Sequence, residues 1–123
     1  MPSPKSTQDT GRRGEALAAA YLLENGYVIL TRNWRSPKGE LDIVAKQGET
    51  LVFVEVRTRH SLTTETAFAS ILPAKRTHIV SAVHGYLQQH QLESAPWRVD
   101  VVAVALPYRA SPIIDHVEDA LGW

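Results

Sequence analysis

Apolar and polar positions change period along the chain, and each change marks an element. From Arg12 to Asn25, Leu17, Ala20, Tyr21 and Glu24 recur at helical spacing, and Ala16 to Leu23 is almost all apolar or Ala. This predicts a helix lying flat on a sheet, with small Ala residues allowing close approach. Gly26 is its expected stop. Tyr27 to Trp34 (YVILTRNW) predicts a strand, and RSPKG at 35–39 a turn. A β-hairpin follows, with strands Glu40 to Lys46 and Leu51 to Arg59, rich in Val, Ile and Phe. Gly48-Glu49 fits a two-residue turn with Gly first. Ser61 to Leu72 is polar and unpatterned and predicts a loop. Pro73 opens a second helix, carrying Ile79, Val83, Tyr86 and His90 on one stripe with Ala82 and Leu87 beside it, and ending near His90. Leu92 to Pro96 connects it to Arg98–Leu106, a nearly continuous apolar strand interrupted by Asp100 and expected to be covered on both faces. Ile113 to Val117 fits a short edge strand.

The order αβββαβ, with a last β, predicts an α/β fold in which helices flank a mixed sheet. The polar, proline-bearing residues 1–10 are expected to form a disordered tail, and residues 11–123 a single domain.

The hairpin organises the rest. A turn at Gly48-Glu49 sets Ile43 opposite Val54, Asp42 opposite Glu55 and Glu40 opposite Arg57. Strand alternation then places Asp42, Val44, Phe53, Glu55 and Arg57 on one face, and Leu41, Ile43, Ala45, Val52, Val54 and Val56 on the other. The second face is wholly apolar and must be buried. The first is apolar near the turn and ionic at the open end. Opposed carboxylates repel, so a cation is expected between or near them: a divalent metal held by oxygen ligands, or Arg57.

Composition narrows the function classes. Acidic and basic residues balance at 13 each, which argues against simple non-specific polyanion binding. The basic residues are nevertheless skewed: residues 1–76 hold eleven of the Lys and Arg. There is no Cys, which excludes disulfides, zinc–thiolate sites and thiol catalysis and fits a cytoplasmic protein. No apolar run approaches membrane-spanning length, so no membrane association is expected.

Asp42, then Glu55-x-Arg57 on the next strand, has the residue types that phosphodiester hydrolysis needs. Carboxylates hold one or two hard metal ions, which activate water and neutralise the phosphate. A cation two residues after the Glu lies on the same strand face and can reach that phosphate. The competing reading is a cross-strand salt network in which Arg57 pairs with Glu40 and neighbours Asp42, and the pattern alone leaves both open. Glu15 is a further candidate ligand, or simply a first-turn acid favoured by the helix dipole. Arg12, Arg13, Arg32, Arg35, Lys38, Arg59, Lys75 and Arg76 form a group able to contact phosphates, with Lys75 and Arg76 at a helix start. Singly, each reads as a solvated charge. Trp34 beside Arg32 and Arg35 fits a packing role better than base stacking.

GRRGEALAAAYLLENGY, RNWR, GELDIVA, LVFVEVRTR, PAKR before a helix, and RVDVVAV, in this order over Gly11 to Val117, resemble the YraN-like (UPF0102) family of bacterial proteins. That resemblance implies a restriction-endonuclease-like PD-(D/E)xK core, similar to Holliday-junction resolvases. It implies catalytic places for Asp42, Glu55 and Arg57, and metal-ligand places for Glu15, Asp42 and Glu55, with Mg²⁺ or Mn²⁺ as cofactor. The nucleic-acid contacts expected beside them are Arg12, Arg13, Arg35, Lys38, Arg59, Lys75 and Arg76. The implied function is a metal-dependent endonuclease acting on DNA, including branched or structured DNA. Two alternatives stand beside it: a non-catalytic nucleic-acid-binding module on the same fold, and a structural or interaction protein. A homodimer is a candidate assembly. Two departures matter. Arg57 occupies the usual lysine place, and arginine stays protonated, so it can serve as a fixed cation but not as a base. Leu41, not Pro, precedes Asp42.

Overall fold

The computed structural model describes residues 7–70 and 73–121. Eight elements follow in order: α1 (Thr7–Glu24), β1 (Val28–Ser36), β2 (Gly39–Gln47), β3 (Thr50–Arg59), α2 (Glu65–Ala69), α3 (Pro73–Gln89), β4 (Trp97–Ala105) and β5 (Ile113–Val117). The strands form one mixed sheet in sequence order, β1-β2-β3-β4-β5. All neighbours are antiparallel except β3 and β4, which α3 joins by a crossover.

One face of the sheet packs Ile43, Ala45, Val52, Val54, Val102 and Val104 against Ala18, Ala19 and Leu22 of α1. The other packs Val44, Phe53 and Val99 against Ile79, Val83, Tyr86 and Leu87 of α3. Each fully buried large aliphatic side chain contributes roughly 1.5–3 kcal/mol. α1 ends as expected: Gly26 has φ 86, and Gly26 N–H and Tyr27 N–H donate back to Leu23 and Leu22 carbonyls. Tyr27 and Leu22 then join the same core cluster. Gly48 has φ 58, and Gln47 pairs with Thr50 as the two-residue turn requires.

Several expectations are corrected. α1 already includes Thr7, so Thr7–Thr10 are helical rather than tail, and Arg12, Arg13 and Glu15 are past the first turn. Residues 1–6 lie outside the described residues. The buried line of α1 is Ala18 and Leu22, with Ala20 and Glu24 exposed, because the helix turns its Gly14 edge to the sheet. The expected loop contains α2, whose Ala67 is buried and whose preceding Thr64 hydroxyl donates to the Asp115 carboxylate on β5. His90 is exposed and stacks on Tyr86, with ring centroids 4.1 Å apart. Trp34 packs edge-on against Tyr86, in keeping with a packing role.

The hairpin register is as expected from the turn to Ile43 opposite Val54, where the β2–β3 ladder stops. Beyond it β2 stays with β1 as far as Gly39, and β3 stays with β4 as far as Arg59. The two strands therefore part at the ionic end. Leu41 does not share the Ile43 face; it packs in the α3 cluster with Val44. The alternation slips beside Asn33, a residue with φ 55 that stands between the Arg32–Ile43 and Trp34–Leu41 pairs, across from Asp42.

Candidate active site

The parting of β2 from β3 would leave strand N–H groups unpaired, and a side chain supplies one acceptor. Val56 N–H donates to Asp42 Oδ2 at 2.9 Å. The carboxylate of Asp42 thus bridges the split instead of facing Glu55 across a ladder. The split opens into a cleft of about 180 Å³ lined by Glu15, Asp42, Arg57 and Arg59, among others.

α1 reaches this cleft because Gly14 has no side chain. A Cβ there would overlap Thr58 Oγ1 on β3, so only Gly lets the helix backbone lie against the strand. Glu15, the next residue, is carried over the cleft. An isolated Gly inside a helical apolar pattern is the signal that could have revealed this close approach.

Glu15 is 12% exposed, with Arg32 Nε 3.9 Å from Oε1. Burial raises its pKa above the usual carboxylate range, and the negative charge of Asp42 raises it further; Arg32, Asn33 and Arg35 oppose the rise without cancelling it. Among the described residues, no group hydrogen-bonds the buried Glu15 Oε1 or the buried Arg57 Nε. Glu55 is 6% exposed, and Arg57 Nη2 donates to its Oε1 at 2.7 Å. The salt network with Glu40 is not formed. Glu40 lies opposite Arg35, which approaches it to 3.8 Å, because the parted strands leave Glu40 with β1.

The structure thus brings Glu15, Asp42 and Arg57 to one cleft and ties Glu55 to Arg57. Among the described residues, no group of three or more His, Asp or Glu side chains is placed to hold a metal ion. The two carboxylates of the cleft, Glu15 and Asp42, are the number that a cation of the Mg²⁺ type commonly takes while keeping several waters.

The raised pKa has a sign. A carboxyl whose folded pKa lies above its unfolded value contributes stability at low pH and loses it as pH rises through the folded pKa. Glu15→Gln is therefore expected to raise the melting temperature at pH 7, with the gain vanishing below about pH 4. Mn²⁺ should stabilise the parent more than the variant. Melting curves at two pH values, with and without Mn²⁺, check both. A variant less stable than the parent at pH 7 would contradict this account of Glu15.

The basic residues divide. Arg59 lines the cleft, its Nη1 donating to Thr58 O at 2.7 Å. Arg13 lines an adjoining groove. Arg12 is exposed and 4.0 Å from Asp9. Lys38 Nζ donates to Gln88 Oε1 at 3.0 Å. Arg76 is exposed and lines a separate depression with Val101, Val117 and Leu121. The side chain of Lys75 lies outside the described residues.

A second polar cluster was missed by the sequence reading. Asp100, fully buried on β4, accepts from Arg98 Nε at 2.9 Å, from Asp119 N–H at 3.0 Å and pairs with His116 Nε2 at 2.8 Å. His116 Nδ1 meets Tyr21 OH at 3.0 Å, and Arg98 Nη2 also donates to Tyr27 OH and Gln47 Oε1. Arg98-x-Asp100 at strand spacing was the available signal; His116 was not legible because β5 brings it back from sixteen residues away.

A family model described as uncharacterised protein family UPF0102 matches residues 14–104, a span holding Glu15, Asp42, Glu55, Arg57 and Asp100. The chain is similar to a UPF0102 protein of Chloroflexus aurantiacus, 45% identical over 125 residues covering 99% of this chain and 98% of the relative. It is similar to one of Dehalococcoides mccartyi, 43% identical over 94% of each chain. A third, from Roseiflexus castenholzii, is 43% identical over 91% of this chain and 97% of its own.

Proposed function

This chain belongs to the uncharacterised protein family UPF0102, and on that premise we propose that it is a metal-dependent nuclease of restriction-endonuclease-like type. Its substrate is DNA, branched or structured DNA included. The observation that supports this reading best is the cleft where β2 and β3 part. Two carboxylates, Glu15 and Asp42, share it with Arg57, and among the described residues nothing hydrogen-bonds the buried Oε1 of that Glu15 or the buried Nε of that Arg57. The proposed cation is Mg²⁺ or Mn²⁺, for which one or two carboxylates and several waters are the usual ligands. Glu15 and Asp42 would hold it, with Glu55 as a third ligand once its bond to Arg57 is exchanged. When bound, the cation supplies charge neutralisation and a more acidic water. Arg57 supplies a permanent positive charge at the cleft, and it does not take a proton. The raised pKa of Glu15 makes protons compete with the cation, so activity falls as pH drops.

A second reading, a non-catalytic nucleic-acid-binding module, draws support from the 2.7 Å Arg57–Glu55 pair, which occupies the third carboxylate. Purified protein with Mg²⁺ or Mn²⁺ and a panel of linear, forked and four-way DNA separates the two. Cleavage of any member supports the nuclease. Binding with every substrate left intact leaves the module.

Both readings place phosphates along the cleft mouth. Arg13→Ala and Arg59→Ala are each expected to weaken DNA binding alike across sequences and to reduce the salt slope by about 1. Arg35→Ala should do less, since Glu40 already lies beside it. Salt titrations of binding check this, and unchanged slopes for both variants would remove these two residues from the interface. Among the described residues, no helix is long and apolar enough to cross a membrane.

A further inference from the structure

Next to the cleft lies a surface that hydrolysis does not use. Tyr108 and Leu62 are large side chains left 85% and 79% exposed. They border one groove of about 600 Å³ with Arg13, His60, Leu106 and Arg109, and no carboxylate lines it among the described residues. The groove adjoins the cleft. Arg59 lines the cleft and His60, the next residue, lines the groove, with His60 Nε2 3.1 Å from Thr10 Oγ1 of the cleft wall. On the β4–β5 connection, Arg109 adopts φ 57 and sets its guanidinium 5.2 Å from the centre of the Tyr108 ring. The arginine thus occupies one side of the ring and leaves the other open.

We propose that this groove is a stacking platform for an unpaired nucleobase of the DNA. Tyr108 takes the base on its open side, and Arg13 and Arg109 neutralise the flanking phosphates. Charge selects this occupant: an aromatic ring in a groove that two arginines and no acid line, among the described residues, matches a flat base on a polyanionic strand. The inference rests on the DNA-binding part of the reading above and deepens it. The preferred substrate is DNA with unpaired nucleotides beside the scissile bond, rather than continuous duplex.

The test measures binding of the full chain, with EDTA present to prevent cleavage, to a duplex and to the same duplex ending in a single-stranded fork. The parent should prefer the fork. Tyr108→Ala should lose on the order of tenfold on the fork and little on the duplex, while Tyr108→Trp should keep the preference. Tyr108 is exposed, so matching melting curves are expected and certify that both variants fold. Equal losses on fork and duplex, or no loss on either, overturn the platform and leave the nuclease reading standing. No DNA binding by the parent at low salt overturns both. Displacement of the fork by polyglutamate, with the same Tyr108 dependence, would assign the groove to acidic peptides and overturn the proposal.

Discussion

Replacing Asp42 by Asn is expected to abolish cation-dependent DNA cleavage while leaving the protein folded and able to bind DNA. Asp42 has two roles that the substitution separates. Its Oδ2 accepts the Val56 N–H at the point where β2 and β3 part, and an amide oxygen can accept that same bond. Its charge, which also raises the pKa of Glu15, is what would hold a cation, and the amide lacks it. Loss of a group that merely supports a metal ligand costs about 10–100-fold in affinity or activity, so loss of a ligand should leave less than about one per cent. Glu55→Gln is expected to abolish cleavage too, and also to lower stability, because it takes the charged partner at 2.7 Å from the half-buried Arg57 guanidinium. The pair of variants therefore distinguishes a ligand from a structural ion. Cleavage surviving in both would expose a contaminating nuclease. Cleavage lost only in proportion to lost folding would reduce the site to a structural salt bridge.

The largest effect on stability is expected at Asp100. Asp100→Ala should destabilise the fold by about 3–5 kcal/mol, the usual range for breaking a buried ion pair from one side, read from denaturant unfolding. The reason is what remains. The half-buried Arg98 and His116 would lose their shared carboxylate, and the Asp119 N–H would lose its partner as well. Those groups tie β4 to β5, and through Tyr21 and Tyr27 to the end of α1. Replacing Asp100, Arg98 and His116 together by apolar residues should cost less than removing Asp100 alone, since no charge is then stranded. A triple variant weaker than the single one would contradict this account. The pH dependence follows with the opposite sign to Glu15. Burial, the largest influence, pushes the Asp100 carboxyl upward, but hydrogen bonds from His116, Arg98 and the Asp119 N–H, with the Arg98 charge, outweigh it. Its folded pKa is therefore lowered. The stability it contributes is present above the unfolded carboxyl value, about 3.9, and is lost as pH falls through the folded one. Acid unfolding of the parent below about pH 4 should be blunted in Asp100→Ala, which has already lost that contribution.

These two carboxylates also mark how far the sequence could be read. The elements were legible because periodicity is a local property. Alternation in GELDIVA and LVFVEV gave two strands, Gly48-Glu49 gave their turn, and the turn alone fixed the register from Gln47–Thr50 to Ile43–Val54. Gly26 stopped α1 where a left-handed residue was needed. The Glu55–Arg57 pair was legible because i, i+2 spacing on a strand puts both on one face, where they bond. α2 was not legible, since five residues are too few for a periodic signal and its fixed point, the Thr64–Asp115 contact, lies on another strand.

What the tertiary structure alone decided is where each carboxylate finds its partner. Extrapolating the ladder placed Asp42 against Glu55. β2 instead follows β1 and β3 follows β4, because each flanking strand offers a longer run of pairing than the ionic end of the hairpin offers itself. That divergence opens the cleft, sends Glu40 to Arg35 and turns Leu41 to the α3 side. Gly14 against Thr58 brings Glu15 over the same cleft from a helix that local pattern could only place somewhere on the sheet. His116 reaches Asp100 because β5 closes the sheet beside β4. The sequence determined the elements and the chemical types at their ends, since both follow from neighbouring residues. Which charges meet was decided by strand pairing and close packing between distant segments, which no local pattern encodes.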